Sequence, residues 1–250
     1  MRTGDQVMNR MWQAWVKRPF QFGLFASAQL IVLTLVAMLL YPGGTVADPA
    51  SRGYDFFRNF FSDLGRTVSP AGEPNTVSAV LFVVALTVAG LGLVSFFVAG
   101  LQFFWQEGRL LRTLGILTVI SGLIAGLSFV GVAWTPANLR LGAHGWFVGT
   151  AFRAFLAAVL FQLVAVVFHR RYPKVYAAVY AAFALLLASY LWLLFEGPRP
   201  DSPAGLAIQA TGQKIIVYAA LLTVLIQSYG AIRLHEAGLA QDVHAEHGGS

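Results

Sequence analysis

Residues 76–104 read TVSAVLFVVALTVAGLGLVSFFVAGLQFF, a run that contains no Asp, Glu, Lys or Arg. A helix rises about 1.5 Å per residue, so this run is long enough to cross the roughly 30 Å hydrocarbon core of a bilayer. The run therefore predicts a membrane-spanning helix, and it sets the class of the fold.

Five further apolar runs have a similar length, and they cover residues 20–41, 114–134, 143–168, 175–194 and 215–232. Tryptophans stand near the edges of these runs, at Trp15, Trp105, Trp134, Trp146 and Trp192. An indole ring prefers the headgroup region of a membrane, so their positions support the boundaries. The pattern predicts an all-α polytopic membrane protein, a bundle of six transmembrane helices.

The composition agrees with this class. Hydrophobic residues make up 57% of the chain and charged residues only 11%, against roughly 25% charged residues in a typical soluble domain. The net charge of +6 is carried mainly by short loops, which indicates topology rather than nucleic-acid binding. The absence of cysteine excludes disulfides, thiolate catalysis and cysteine metal sites.

The first apolar run follows Lys17 and Arg18 and exceeds the about 7–15 residues of a signal-peptide core, so we expect a retained anchor. The predicted organisation is a cytoplasmic N-terminal segment (1–19), a transmembrane domain (20–232) and a cytoplasmic tail (233–250). The tail contains histidines, but their spacing does not favour a metal site.

Orientation follows from the basic residues of the short segments. Apart from Arg153, ten Lys and Arg residues fall on the side of the termini and six on the other side. The side with more basic residues is predicted to face the cytoplasm. The protein is then a multi-pass protein of the cell membrane with both termini in the cytoplasm and the loop of residues 42–75 on the outer side.

That first outer loop contains a patterned stretch, residues 54–66, which reads YDFFRNFFSDLGR. On a helix, one face would carry the apolar residues Phe57, Phe60, Phe61 and Leu64. The pattern predicts an amphipathic helix at the outer interface, ended by Gly65. Two roles stay open: a passive cap on the bundle, or a helix whose Asn59, Ser62 and Asp63 line a cavity that opens outward.

Arg153 lies inside the fourth apolar run, roughly 10 Å below the outer interface. A guanidinium at such a depth costs about 2.5–3.5 kcal/mol, so we expect it to face the interior with a partner. The candidate partners are Asp63, Asp55 and Glu196. The arginine then forms either a structural ion pair or an anion site for a lipid phosphate or carboxylate; the remaining alternatives are a side chain that snorkels to the interface and a misplaced helix boundary.

Two more polar residues open apolar runs on the outer side. His144 is expected to be a hydrogen-bonded structural residue or to line the mouth of a cavity. Lys214 is expected to anchor its helix at the interface or to add a second positive charge to the anion site.

Glycines spaced four apart, Gly122 with Gly126 and Gly145 with Gly149, predict close approach of helices within the chain. The sequence contains no phosphate-cradling glycine loop, no His-Glu-x-x-His and no glycine-flanked nucleophilic serine. No cofactor and no metal site are therefore expected.

The order of short motifs resembles a known group of proteins. Residues 59–65 read NFFSDLG, two prolines follow at Pro70 and Pro74, and residues 142–145 read GAHG. This resembles a group of uncharacterised bacterial six-helix membrane proteins that share a serine-acid-leucine-glycine motif, and it is more distantly similar to the Frag1/DRAM/Sfk1 family. The resemblance implies an outward-facing functional region around Ser62, Asp63, Gly65 and His144. The eukaryotic family is linked to lipid remodelling and distribution without one shared reaction.

The leading hypothesis is a protein that engages a lipid headgroup or another amphiphile in an outward-facing polar pocket, with membrane lipids as partners. The ligand contacts would be Asn59, Ser62, Asp63, His144, Arg153 and Lys214. One alternative is an intramembrane hydrolase or acyltransferase with Asp63 and His144 as its acid–base pair and Ser62 as nucleophile. Another alternative is a small-solute transporter. Whether the chain is an enzyme stays open.

Overall fold

The computed structural model describes the backbone of residues 3–247 and the side chains of residues 17–236. Its α-helices are α1 Thr3–Leu39, α2 Thr76–Gly100, α3 Arg109–Ala133, α4 Leu141–Phe168, α5 Lys174–Glu196 and α6 Pro203–His247. The described backbone forms two isolated β-bridges and no strand. All six helices are long and apolar enough to cross a membrane. The predicted all-α six-helix bundle is confirmed.

The helix ends agree with the apolar runs most closely at α2, α4 and α5. Helix α6 differs because it begins at Pro203 rather than at residue 215. Its first turns contain polar side chains that are buried and partnered, as when the Gln209 amide donates to the Leu193 carbonyl at 2.7 Å. Polar residues with internal partners do not have to end a span. The predicted terminal segments 1–19 and 233–250 fall mostly outside the described side chains.

The helices form a closed ring. Each helix packs against its neighbours in the chain, and α6 returns to pack against α1. One end of the bundle carries the 40–75 loop together with the α3–α4 and α5–α6 connections, and we call it the loop end. The other connections, the start of α1 and the end of α6 lie at the opposite end.

The ring has an apolar exterior and an aromatic interior. Large apolar side chains on its outer surface are freely exposed, among them Leu39, Leu185 and Trp192. A soluble protein rarely exposes contiguous apolar surface of this extent, whereas a membrane protein needs it. Inside, aromatic rings meet edge to face, as for Phe97 with Phe155 and Phe152 with Tyr190.

Glycines let two of the helices approach closely. A Cβ atom built on Gly126 would lie 2.6 Å from the Gly90 carbonyl oxygen, and one on Gly90 would lie 2.6 Å from the Gly126 oxygen. The predicted packing role of Gly122 and Gly126 within the chain is therefore confirmed at the α2–α3 contact. Gly149 is also closely covered, whereas Gly145 faces open space.

The prediction of an amphipathic helix over residues 54–66 is wrong. The loop forms only a short 3₁₀ helix, Phe61–Gly65, preceded by turns. The predicted faces are also partly reversed: Asn59 and Asp63 are buried, whereas Phe57 is 60% exposed. Asn59 and Asp63 bind backbone groups of the loop itself, and such bonds compete with those of a regular helix.

Gly65 does end the 3₁₀ helix, but it is not among the residues with a left-handed backbone. Glycine is needed at this position because of close packing rather than backbone conformation. A Cβ atom there would lie 2.5 Å from the Phe82 ring, which covers it. The loop is thereby held on α2, with Phe61 and Leu64 buried beside Phe82.

Candidate functional site

The six predicted ligand residues occupy different environments at or near the loop end. Three of them are buried: the exposed fraction is 0% for Asn59, 3% for Asp63 and 1% for Lys214. His144 is buried in the first turn of α4, Ser62 is half-buried and Arg153 is exposed. They do not converge on a single polar pocket.

Asp63 and Asn59 organise the loop backbone. One carboxylate oxygen of Asp63 accepts the Phe60 backbone N–H at 2.8 Å and the Asn59 side-chain amide at 3.3 Å. The same amide donates to the Gly44 carbonyl at 2.9 Å, and its oxygen accepts the Asp55 backbone N–H at 2.9 Å. Both side chains thus satisfy backbone groups that the irregular loop leaves without helical partners.

The other oxygen of Asp63 lies 3.6 Å from the Arg66 guanidinium. Burial raises the pKa of Asp63, while Arg66, the hydrogen bonds from Asn59 and Phe60, and the Lys214 charge oppose the rise. The carboxyl group is therefore a buried structural acid whose ionisation is costly.

Lys214 joins the loop to α6. Its ammonium donates to the Asn59 carbonyl and, at 3.2 Å, to the Ala210 carbonyl. It also lies 5.4 Å from the centre of the Tyr54 ring and 5.2 Å from that of Phe56. Within the described side chains no carboxylate lies within 4 Å of it. The lysine holds the loop in place and is not available at an open anion site.

Gln213 is a residue whose role the sequence did not reveal. Its side-chain oxygen accepts the Phe61 backbone N–H at 2.6 Å, which is the first N–H of the 3₁₀ helix. Its position next to Lys214, in a polar pair at the start of an apolar run, was the available signal. Together these two residues attach the loop to α6.

His144 is oriented by the α3–α4 connection. Its Nδ1 lies 2.7 Å from the Thr135 carbonyl oxygen. A carbonyl can only accept, so Nδ1 carries the proton and, in a neutral ring, Nε2 is left as the acceptor. The charges of Asp63 and Arg66 reach this ring, but among the described side chains no hydrogen bond joins His144, Asp63 and Ser62. The structural role expected for His144 agrees with this geometry.

Ser62 lines a cavity in the centre of the ring. The cavity has a volume of about 90 Å³, and five helices line it together with the 3₁₀ helix. Its loop end is formed by Phe61, Ser62 and Gln213. Its side walls are almost entirely apolar and include Phe82, Phe129, Phe152, Phe155, Leu221 and Val224. On α6 the lining runs from Gln213 to Val224, a rise of about 16 Å. The cavity is therefore long, narrow and apolar.

The expectation that Arg153 faces the interior is wrong. Its side chain is exposed on the outside of the bundle, and its guanidinium carbon lies 3.9 Å from the centre of the Phe195 ring. None of the predicted partners Asp63, Asp55 and Glu196 forms an ion pair with it; Asp63 faces Arg66, and Asp55 faces Arg58. A long arginine stem can carry its charge toward the headgroup region, so an interior position is not required.

A metal centre has no evident place in the part of the chain that is described. No group of three or more His, Asp or Glu side chains there is arranged to hold an ion. Asp55 and Asp63 bind backbone N–H groups and an arginine of the loop instead.

Comparison with known proteins identifies no matching family model, no matching curated protein and no matching solved structure. The resemblance based on the NFFSDLG and GAHG motifs stays a prediction.

Proposed function

We propose that this membrane protein binds the hydrocarbon chain of a membrane amphiphile in the central cavity, with the polar end of the amphiphile beside Ser62. The observation that carries the proposal is the cavity itself. A dry apolar space inside a protein can hold an apolar guest, and its lining here is apolar along its length.

The two ends of the cavity differ in character. Ser62 and Gln213 supply a hydroxyl and an amide at the loop end, whereas Gly23 and Val224 lie at the deep end. An amphiphile matches this gradient, since its chain avoids water and its polar end can form hydrogen bonds. The narrow shape fits one chain better than two.

The distribution of basic residues supports an orientation of the bundle in the membrane. The basic residues favour the opposite end as the cytoplasmic side. The polar end of the amphiphile then lies toward the outer face of the cell membrane, and both termini are cytoplasmic.

The contacts at the site do not favour the two alternatives. Hydrolysis with Asp63 and His144 needs these groups within hydrogen-bonding reach of a shared proton, and Asp63 is occupied by Phe60, Asn59 and Arg66. Transport of a polar solute needs polar groups deep in the bundle, where the cavity is apolar.

The proposal is tested by labelling the purified protein with a fatty acid that carries a photoactivatable diazirine in its chain. Crosslinks are expected on cavity-lining residues of α1, α2, α4 and α6. Ala220→Phe should fill the cavity and lower the labelling several-fold, and Ala89→Phe should do so from α2.

Ala188→Phe is the matched control, because Ala188 is exposed on α5, which does not line the cavity. The proposal fails if both filled variants fold and are labelled like the wild type. It also fails if the crosslinks map only to the outer surface of the bundle.

A further inference from the structure

Arg153 occupies a defined position on the outside of the bundle, at the seam between α4 and α5. Its guanidinium lies over the Phe195 ring, with 3.9 Å between the guanidinium carbon and the ring centre. Phe195 is itself 47% exposed, and Trp192, one turn earlier, is 65% exposed. A permanent cation is thus displayed on an apolar surface that faces the membrane.

Gly149 creates the space that this arrangement needs. A Cβ atom at Gly149 would lie 3.1 Å from a guanidinium nitrogen of Arg153 and 3.4 Å from the Phe195 ring. Gly149 is buried beneath the two side chains. The glycine, the ring and the arginine therefore form a fitted notch, in which the guanidinium has one preferred position.

The guanidinium has no acidic neighbour in the described part of the chain. Arg153 forms no ion pair and no hydrogen bond with residues 17–236, and Glu196 is exposed and not paired with it. Contact with a ring face leaves the N–H groups at the edge of the guanidinium free to donate. The notch therefore presents a cation with unused donors.

The depth of the notch suggests what completes it. Phe195 is the second-last residue of α5, which ends at Glu196. The guanidinium thus lies where α5 leaves the apolar layer, at the level of lipid headgroups. A phosphate there would receive parallel N–H bonds from the planar guanidinium, while the acyl chains beside it would cover the exposed Trp192.

We propose that the Gly149–Arg153–Phe195 notch binds the phosphate of a membrane phospholipid at the loop end of the bundle. This site lies on the outer surface and is separate from the central cavity. Its ligand is recognised through the phosphate, and the apolar surface around it favours a lipid over a free anion.

The test compares phosphatidylglycerol with a galactolipid that lacks phosphate, each added to delipidated protein and counted by native mass spectrometry. The wild type should retain phosphatidylglycerol preferentially, and Arg153→Gln should bind it about tenfold more weakly. Arg199→Gln is the matched control, since Arg199 is an exposed arginine in the connection that follows α5. It should bind like the wild type.

Gly149→Ala provides a second variant that keeps the charge. The added methyl group should shift the guanidinium by a few tenths of an ångström within the notch and weaken phosphatidylglycerol binding. Equal binding by folded Arg153→Gln and wild type overturns the proposal, as does equal loss in Arg199→Gln. Inorganic phosphate that binds as tightly as phosphatidylglycerol overturns the assignment to a lipid. Diazirine labelling of the cavity should not change in Arg153→Gln, so this proposal can fail independently of the amphiphile proposal.

Discussion

Asp63 shows how strongly a single polar residue can determine the shape of a loop. In the helix predicted for residues 54–66, Asp63 would point away from the apolar face. In the structure it is buried, because its carboxylate accepts the Phe60 N–H and the Asn59 amide and lies beside Arg66. A buried irregular backbone needs such partners more than it needs the burial of Phe57.

The pH dependence of stability should reveal this buried acid. The pKa of Asp63 is raised from an ordinary value of 3.8 in the folded state, so folding favours its protonated form. Its contribution is complete below that ordinary value and is lost as the pH rises through the folded pKa. We expect the melting temperature of the wild type to fall relative to Asp63→Asn above about pH 4, and each unit of pKa elevation is worth about 1.4 kcal/mol.

Thermal unfolding in detergent between about pH 4 and pH 8 measures this difference. Asp55→Asn is the matched control, because hydrogen bonds from Arg58 and Phe57 lower the pKa of Asp55 although burial acts to raise it. The stability that Asp55 contributes is lost only as the pH falls below its ordinary value of 3.8, so the difference between wild type and Asp55→Asn should stay nearly constant over this range. A constant difference between wild type and Asp63→Asn over the whole range contradicts the prediction.

Among the elements, the contact between α2 and α3 depends on two glycines. Gly126→Ala places a methyl group 2.6 Å from the Gly90 carbonyl oxygen, so the two helices must move apart. We expect a loss of about 1–3 kcal/mol in the free energy of unfolding. Thermal or denaturant-induced unfolding of the purified protein measures it.

Gly145→Ala is the matched control, because it is also a glycine-to-alanine substitution within a membrane-spanning helix. Gly145 lies in α4 with no atom within 4 Å of an added Cβ, so alanine there should be neutral or stabilise by up to about 1 kcal/mol. If both variants unfold alike, close approach at Gly126 does not contribute to the stability of the bundle.

The sequence predicted the helices better than the loop for a physical reason. A membrane span is visible in the local sequence as a run of apolar residues, and this pattern was sufficient to predict α2, α4 and α5. The loop depends on distant partners, since Gly44 and Gln213 bind groups of residues 59 and 61. Arg153 was misplaced for a similar reason: its spacing gives a face of α4, but only the position of α5 shows that this face is outside.

For the whole molecule, the ring makes the topology directly testable. The chain contains no cysteine, so each single substitution gives one labelling site. Glu73→Cys at the loop end should react with a membrane-impermeant maleimide added to intact cells. Gln106→Cys at the opposite end should react only after the membrane is permeabilised, and both residues are exposed.

The reverse labelling pattern would invert the orientation proposed from the basic residues. Equal labelling of both sites in intact cells would contradict a single orientation. Neither result would change the helix count.

The central cavity shows what sequence patterns omit at this scale. Its lining comes from residues as far apart as Gly23 and Val224, each of which belongs to an ordinary apolar run. Only the closure of the ring brings them together, so no local sequence pattern predicts the cavity. Of the candidate site residues, Ser62 alone lines this cavity.

The return of α6 to α1 has a consequence for biosynthesis. Helix α6 is translated after the other five spans, and it supplies Gln213 and Lys214, which hold a loop translated some 150 residues earlier. Before α6 inserts, the first five helices form an incomplete ring, and lipid can occupy the position of α6. The central cavity therefore forms only after α6 has been translated and inserted, and a chain that stops before α6 would keep five of the six spans but would lack one wall of the cavity.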